Sequence, residues 1–174
     1  MLKRFGADRR GLAGVEFALL APLMVLLYYG MAELTLAMMA ERRASHAASI
    51  VADLVAQVGS TSSSEVNDMF TVGNALLRPF PTAPLKMRVS SVKADNNGVA
   101  QVVWSRGYGQ GGRSAGQISG FPANLIAANE SIIMTEVTYT YDSPIHKVLP
   151  NALTFSDTFY LRPRKTAEVT CTTC

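Results

Sequence analysis

Histidine and cysteine, which most often ligate metals, act as nucleophiles or carry protons, are scarce in this chain. There are two of each among 174 residues. His46 and His146 do not neighbour an acid or nucleophile pattern, so we expect both to be solvated side chains. The HExxH metalloprotease motif and the phosphate-loop spacing are absent, and the acidic residues form no paired-acid signature. The sequence therefore predicts a protein that is not an enzyme and that holds no metal or cofactor.

The chain has no net charge once its first eleven residues are set aside. Lysine and arginine number 16, and aspartate and glutamate number 13. Residues 1–11 hold four basic side chains and one acidic side chain, which leaves twelve of each sign in the remainder. Proteins that neutralise nucleic-acid phosphates need a clustered excess of lysine and arginine, so the sequence predicts no nucleic-acid partner.

An apolar run follows the basic N-terminus. Residues 17–32 carry no charged side chain, and residues 12–15 extend the run on the other side of Glu16. A helix needs about 20 mostly apolar residues to cross a bilayer, so residues 12–32 suffice when Glu16 lies near an interface. Basic residues before the run predict a cytoplasmic N-terminus and an exported remainder.

Three interpretations of this run compete: a plain membrane anchor, a cleaved secretory signal and a processed precursor. Gly30 and Ala32 offer small residues for a signal-peptide cut, although the A-x-A pattern is not met. Glu16 and Pro22 lie within or next to an apolar core that is uniform in ordinary signal peptides. A carboxylate in hydrocarbon is costly without a partner, so Glu16 itself needs an explanation.

The spacing of a glycine and this carboxylate distinguishes the third interpretation. The segment RRGLAGVEFALLAP (residues 9–22) closes the basic leader with Gly11, and Glu16 is the fifth residue after it. Gly6 and Gly14 do not give this spacing. The pattern resembles the processing site of type IV pilin precursors, and within that group the TadE/TadF family of pilin-like proteins from tight-adherence (Tad, or Flp) pilus systems. The resemblance covers about residues 9–33.

The resemblance implies cleavage after Gly11 by a membrane-embedded aspartyl prepilin peptidase, so that Leu12 carries the new terminal ammonium. That ammonium, on a neighbouring helix offset by one turn, is a suitable partner for Glu16, which makes Glu16 an assembly residue. Pro22 removes one helical hydrogen bond and is expected to kink the helix. Glu33 lies roughly 26 Å beyond Glu16 at 1.5 Å per residue, and we expect it to be solvated at the outer interface.

The helix is expected to continue beyond the membrane. Small and aliphatic side chains recur at three- and four-residue steps between Ala44 and Val58, which is typical of an amphipathic helix. Gly59 is a natural stop. One helix over residues 12–58 therefore combines a membrane part with a packing part.

The remainder predicts a small α+β head with an antiparallel sheet and a covering helix. Capping residues in STSSS (60–64) precede a helix predicted over residues 65–77. Apolar alternation on both sides of Asn97-Gly98 predicts a β-hairpin. Residues 131–141 and 153–161 are predicted to form two more strands.

A glycine-rich segment lies between the predicted strands. Residues 107–120 hold six of the 13 glycines, and GYGQGG within them formally matches G-x-G-x-x-G. A dinucleotide site needs that motif to open a helix in a βαβ unit, and the following RSAGQISG is a poor helix former. We therefore expect an exposed, flexible surface loop.

The two cysteines, Cys171 and Cys174, form a terminal CTTC. Zinc would need a second ligand pair, which this chain does not offer. Because export places the pair in an oxidising compartment, a local disulfide is favoured, and pairing with another subunit is the alternative.

These observations divide the chain into a basic leader (1–11), a transmembrane and stalk helix (12–58) and an exported head (59–174). On the resemblance, the protein is expected to be a minor pilin or pseudopilin of the inner membrane with a periplasmic head, which enters the extracellular pilus if it is assembled. Its expected partners are other pilin-like subunits, the assembly platform, the prepilin peptidase and lipid. The alternative is a membrane-anchored or secreted periplasmic binding protein unrelated to pili.

Overall fold

The longest element is helix α1, Leu12–Ala56, with 45 residues. In the computed structural model, which describes residues 12–122, 125–146, 148, 149 and 151–174, α1 ends two residues before the predicted helix end at Val58. The Val58 amide reaches back to the Val55 carbonyl, and the Arg164 amide donates to the Ala56 carbonyl at 2.8 Å. These bonds satisfy carbonyl groups that the end of a helix leaves without partners, which explains why the helix stops here.

Contacts divide the chain into two compact units, and α1 contributes to both. One unit contains the helix as far as Met38 together with Asp142–Ala152. The other contains Met39–Tyr141 and Leu153–Cys174. In this second unit the predicted small-residue stripe of α1 is buried; its fully covered members are Ala44, Ala47, Ala48, Val51 and Val55.

Helix α2, Ser63–Leu76, starts two residues earlier than predicted because a capping box begins it. The Glu65 amide donates to the Ser62 hydroxyl, and the Ser62 amide donates to the Glu65 carboxylate at 2.8 Å. Both bonds satisfy amides that lack helical partners. The buried face of α2 consists of Val66, Phe70 and Gly73.

Five antiparallel strands form the main sheet, in the order β4-β3-β2-β5-β6. The strands are β2 (Leu85–Ala94), β3 (Ala100–Tyr108), β4 (Gly116–Gln117), β5 (Ser131–Tyr141) and β6 (Leu153–Leu161). A separate parallel pair joins β1 (Ser60–Thr61) to β7 (Thr170–Cys171). The structure confirms the predicted α+β class, with a long N-terminal helix followed by a sheet and a second helix.

The hairpin between β2 and β3 turns where the sequence predicts. Gly98 has φ +79°, a left-handed conformation that glycine adopts without steric cost. The Asp95 carboxylate accepts the amides of Asn97 and Val99 at 2.8 and 2.9 Å. Asp95 therefore stabilises the turn by bonding to the backbone, as aspartate commonly does in turns.

The two central strands of the sheet, β2 and β5, are buried on both faces. Met87 lies opposite Val137 and Val92 lies opposite Ile132, and these pairs face opposite sides because side chains alternate along a strand. On the Met87 side, α2 packs on the sheet, with the Phe70 and Tyr108 rings 6.0 Å apart. On the other side, a segment after β4 packs against the core cluster; its apolar members are Ile118, Phe121, Leu125 and Ile126.

The glycine-rich segment is more ordered than expected. Gly116 and Gln117 pair with β3 as a short edge strand. The Ile118 amide donates to the Ala100 carbonyl at 3.2 Å, and the Ile118 side chain packs against the core. One apolar side chain in a polar stretch thus attaches the end of the predicted loop to the sheet.

Candidate functional site

The first half of α1 exposes apolar side chains on all its sides. Within the described part of the chain, one helix is long and apolar enough to cross a membrane, and its most apolar window is not buried in the protein. The exposed large side chains before Gly30 are Val15, Phe17, Leu19, Leu20, Leu23, Met24, Val25, Leu26, Leu27, Tyr28 and Tyr29. A helix that is apolar all round needs an apolar environment, and the fold does not supply one here. This segment fits a single-pass membrane anchor.

Glu16 lies among these side chains, near the start of α1. It is exposed, and so are Phe17 and Leu19, at 73% and 77%. Among the described residues, no hydrogen bond or ion pair involves Glu16. Its carboxylate is therefore exposed on the surface of the described fold. Gly11 and the rest of the basic leader lie outside the described residues, and Leu12 begins α1.

Pro22 is exposed on the same helix, and α1 continues through it without interruption. Its ring has no amide hydrogen to donate, so the helical bond at this position is missing. The kink at Pro22 stays a prediction. The structure adds that Pro22 lines a groove with Val25, Leu26 and Tyr29.

The second carboxylate of this half of α1, Glu33, is completely buried, so the expectation of a solvated Glu33 was wrong. One of its carboxylate oxygens accepts the backbone amides of Val148 at 3.0 Å and Leu149 at 2.6 Å. These residues belong to the connection between β5 and β6, residues 142–152, whose described residues (142–146, 148, 149, 151 and 152) we call the strap. The strap covers Glu33 and replaces the water that was expected around it.

Apolar contacts extend from the same place along α1. Ile145 and Val148 of the strap line a groove of about 480 Å³ together with Pro22, Val25, Leu26 and Tyr29 of the helix. Val148 lies over Gly30, where an added Cβ would be 3.5 Å from a Val148 methyl group. The strap therefore packs along roughly three turns of the apolar helix.

Hydrogen bonds inside the strap fix its shape. The buried Ser143 hydroxyl accepts the Ile145 amide at 3.3 Å. The exposed His146 ring lies 2.9 Å from the Asp142 carboxylate.

The other histidine, His46 on α1, is exposed. No group of three or more histidine, cysteine, aspartate or glutamate side chains in the described residues is arranged to hold a metal ion.

Sequence reasoning missed the strap because Glu33 and its partners are more than 110 residues apart. The residues around the strap indicate only that a loop connects β5 and β6 here. Pro144 and Pro150 frame the strap, and proline is typical of stiff connections between strands. Nothing in that pattern indicates which surface the loop contacts.

The head carries one charged cluster on its sheet. Glu136 of β5 binds Arg88 at 2.7 Å and Arg113 at 2.6 Å. Burial raises the pKa of Glu136, but the hydrogen bonds and charges of the two arginines outweigh burial, and the pKa lies below its ordinary value. The hydrogen bond to Glu136 in turn raises the pKa of Arg113 above its ordinary value. This cluster ties the segment before β4 to the middle of the sheet.

Stability should fall at acid pH because of this cluster. A carboxylate whose pKa is lower in the folded state stabilises the fold above its unfolded pKa of about 4.3 and loses that contribution as pH falls through the folded value. Glu136→Gln should lower the free energy of unfolding at pH 7 by about 1.5–3 kcal/mol and flatten its decline between pH 5 and 3. Urea unfolding followed by Trp104 fluorescence measures both effects. Asp68→Asn, at an exposed carboxylate, is the control, and an equal flattening in that variant would contradict the assignment.

The glycines of GYGQGG allow the chain to reverse direction within a few residues. A Cβ on Gly107 would lie 2.1 Å from the Gln110 carbonyl oxygen, and one on Gly112 would lie 2.6 Å from the Ser105 carbonyl oxygen. Gly109 has φ +66°. The motif follows β3 and leads to the edge strand β4, so it does not open a helix in a βαβ unit.

Sequence reasoning overlooked a second motif in this segment. Gly112-Arg113-Ser114-Ala115-Gly116 has the G-x-S-x-G spacing of a hydrolase nucleophile. That chemistry needs the serine on a sharp turn between a strand and a helix, beside a histidine. Here the motif leads into β4, Ser114 is exposed, and no hydrogen bond in the described residues joins it to a histidine. The spacing alone therefore gives no reason to predict hydrolase activity.

Cys171 and Cys174 are joined by a disulfide at the end of β7. The pairing closes a loop of only a few residues, so it removes little entropy from the unfolded chain. Its neighbourhood is held by other bonds, since the Thr173 carbonyl and hydroxyl both bind Ser63 at the start of α2.

The segment that contains the exposed apolar helix and Glu16 has a counterpart among known protein families. Residues 11–53 match the TadE-like protein family. The match confirms the resemblance to the TadE/TadF-like family for this part of the chain, and it indicates a pilin-like protein associated with the Tad pilus. The TadE-like segment covers Glu16, Pro22 and Glu33 and ends within α1. Comparison of the chain with curated proteins and with solved structures found no match.

Proposed function

We propose that this protein is a minor pilin or pseudopilin that is needed to build a Tad/Flp-type pilus. One observation carries the proposal: the TadE-like segment coincides with an exposed apolar helix that presents the carboxylate of Glu16 near its start. A plain anchor needs apolar residues alone. A helix that must align with other helices gains specificity from one charged group, because an unpaired charge in hydrocarbon is costly.

The proposed topology is a single pass through the inner membrane. The four basic residues before position 12 favour a cytoplasmic N-terminus, which leaves the sheet and α2 on the periplasmic side. The disulfide between Cys171 and Cys174 is compatible with that oxidising compartment. After extraction from the membrane, the same apolar helix surface would pack among other pilin helices within a pilus.

Its proposed partners follow from this position. A prepilin peptidase removes residues 1–11 after Gly11, lipid covers α1 before assembly, and pilin-like subunits and the assembly platform receive the helix afterwards. The head serves as a structural module without catalysis. The second candidate, a membrane-anchored or secreted periplasmic binding protein unrelated to pili, has no use for a cut after Gly11 or for a charge at Glu16.

The mature N-terminus separates the two candidates. Protein purified from the membrane of a host with an active Tad system should begin at Leu12, as measured by intact mass and terminal sequencing. The control is the same host with an inactivated prepilin peptidase, where the mass should include residues 1–11. An uncut Met1 in the active host, or a cut near Ala32, would support the binding protein instead.

A further inference from the structure

We propose that the strap is a second membrane-contacting element, which places apolar side chains in the periplasmic leaflet beside α1. The inference rests on the membrane anchoring proposed above. We infer that lipid acyl chains fill the groove between the strap and α1. The groove opens beside helix side chains that lipid covers in the proposed membrane anchor. Val25 and Leu26 line that groove and are 52% and 60% exposed.

The position of the strap along α1 fixes its depth. It contacts the helix between Pro22 and Glu33, which is about 17 Å at 1.5 Å per residue. A hydrocarbon core is about 30 Å thick, so a span that begins near Ala13 places this stretch in the second leaflet. Tyr28 and Tyr29 lie within it, and tyrosine is enriched where hydrocarbon meets the headgroups.

Irregular backbone is tolerated at such a depth only when its polar groups are satisfied within the protein. The amides of Val148 and Leu149 donate to the carboxylate of Glu33, and the Ile145 amide donates to Ser143. Glu33 is itself at the edge of the hydrocarbon, where a carboxylate needs donors. The two bonds to Glu33 thus satisfy its carboxylate together with two strap amides, and they hold the strap on the helix.

The strap's apolar residues agree with this placement, and the charged residues Asp142 and Lys147 of the same connection are expected to reach the headgroups. Val148 is 40% exposed, and Ile145 is half-buried in the groove. The exposed polar side chains Asp142 and His146 bind each other, which lowers the cost of bringing either near the headgroups.

Depth-dependent quenching tests the proposal on the full-length protein. The protein is reconstituted in phosphatidylethanolamine–phosphatidylglycerol vesicles that contain acyl-chain nitroxides, with an environment-sensitive fluorophore on a single introduced cysteine. Cys171 and Cys174 are paired and do not take the label without reductant. Val148→Cys reports on the strap and Leu20→Cys on the helix. Val103→Cys on β3 is the matched control, since Val103 is 42% exposed and Val148 is 40%.

We expect a blue-shifted emission and strong quenching at positions 148 and 20, and neither at position 103. Quenching at 20 but not at 148 would overturn the strap proposal while leaving the membrane anchor intact. No quenching at 20 would instead overturn the anchoring itself. Equal quenching at 148 and 103 would also overturn the proposal, because it would show unspecific contact of the protein with the vesicle.

The role of Glu33 has its own test. Glu33→Leu introduces an apolar side chain of similar size and removes the acceptor, so quenching at position 148 should be lost while quenching at position 20 persists. Glu33→Gln retains an acceptor oxygen and should keep most of the signal. Glu41→Leu, two turns further along α1 at an exposed carboxylate, is the control. Unchanged quenching in Glu33→Leu would show that Glu33 does not hold the strap.

Discussion

Replacing Glu16 by glutamine should abolish pilus assembly while leaving the protein inserted, processed and folded. Glutamine keeps the shape of the side chain and removes its charge, so insertion should become easier if it changes at all. The terminal ammonium at Leu12 of a neighbouring subunit would lose its partner in hydrocarbon. Breaking a buried charge pair costs about 3–5 kcal/mol, which corresponds to a loss of partner affinity of more than about a hundredfold.

The measurements separate assembly from every earlier step. Membrane level, intact mass and Trp104 fluorescence check insertion, processing and the fold of the head, where the Trp104 indole donates to the Val169 carbonyl at 2.7 Å. Co-purification of partner pilins and pilus counts then report assembly. Glu41→Gln removes one carboxylate from the same helix outside the apolar run and should assemble normally. Wild-type piliation in Glu16→Gln would contradict the assembly role of Glu16.

The sequence was most informative where the burial pattern is local. The strands Ser131–Tyr141 and Leu153–Leu161 were predicted residue for residue, because turn residues bound each run of β-branched and aromatic side chains. The reversal at Asn97-Gly98 was predicted for the same reason: its glycine adopts the conformation that the turn requires. Such features depend on neighbours within a few residues, and the sequence displays them directly.

Boundaries that depend on a distant contact were less predictable. Helix α1 ends at Ala56, where the Arg164 amide donates to its last carbonyl, whereas the predicted end was Val58. Strand β4 exists because Ile118, in a polar and glycine-rich segment, packs on a core formed by other strands. Neither contact leaves a periodic pattern in the residues around it.

The candidate site divides in the same way. The spacing of Gly11 and Glu16 and the apolar run could be recognised in the sequence because the proposed cleavage, membrane insertion and helix pairing all involve contiguous residues. The buried state of Glu33 was not readable, since its donors are in the strap. Arg88, Glu136 and Arg113 likewise meet only through strand pairing and the loop before β4. Charged residues on separate elements give no sign of their partners until the topology is known.

Gly11→Arg should leave residues 1–11 attached to the protein. A peptidase that cleaves directly after glycine accepts the chain in close contact, and a long charged side chain at that position should be excluded sterically. Gly6→Arg adds the same charge to the same leader five residues earlier and should be processed like the wild type, so it separates the position from the charge. Intact mass of membrane-purified protein from a host with an active prepilin peptidase measures both variants.

Piliation should be lost together with processing in Gly11→Arg. Because the precursor retains its leader, its Leu12 amine stays in a peptide bond and cannot pair with Glu16 of a neighbour. Normal removal of residues 1–11 in Gly11→Arg would show that Gly11 does not define the cleavage site.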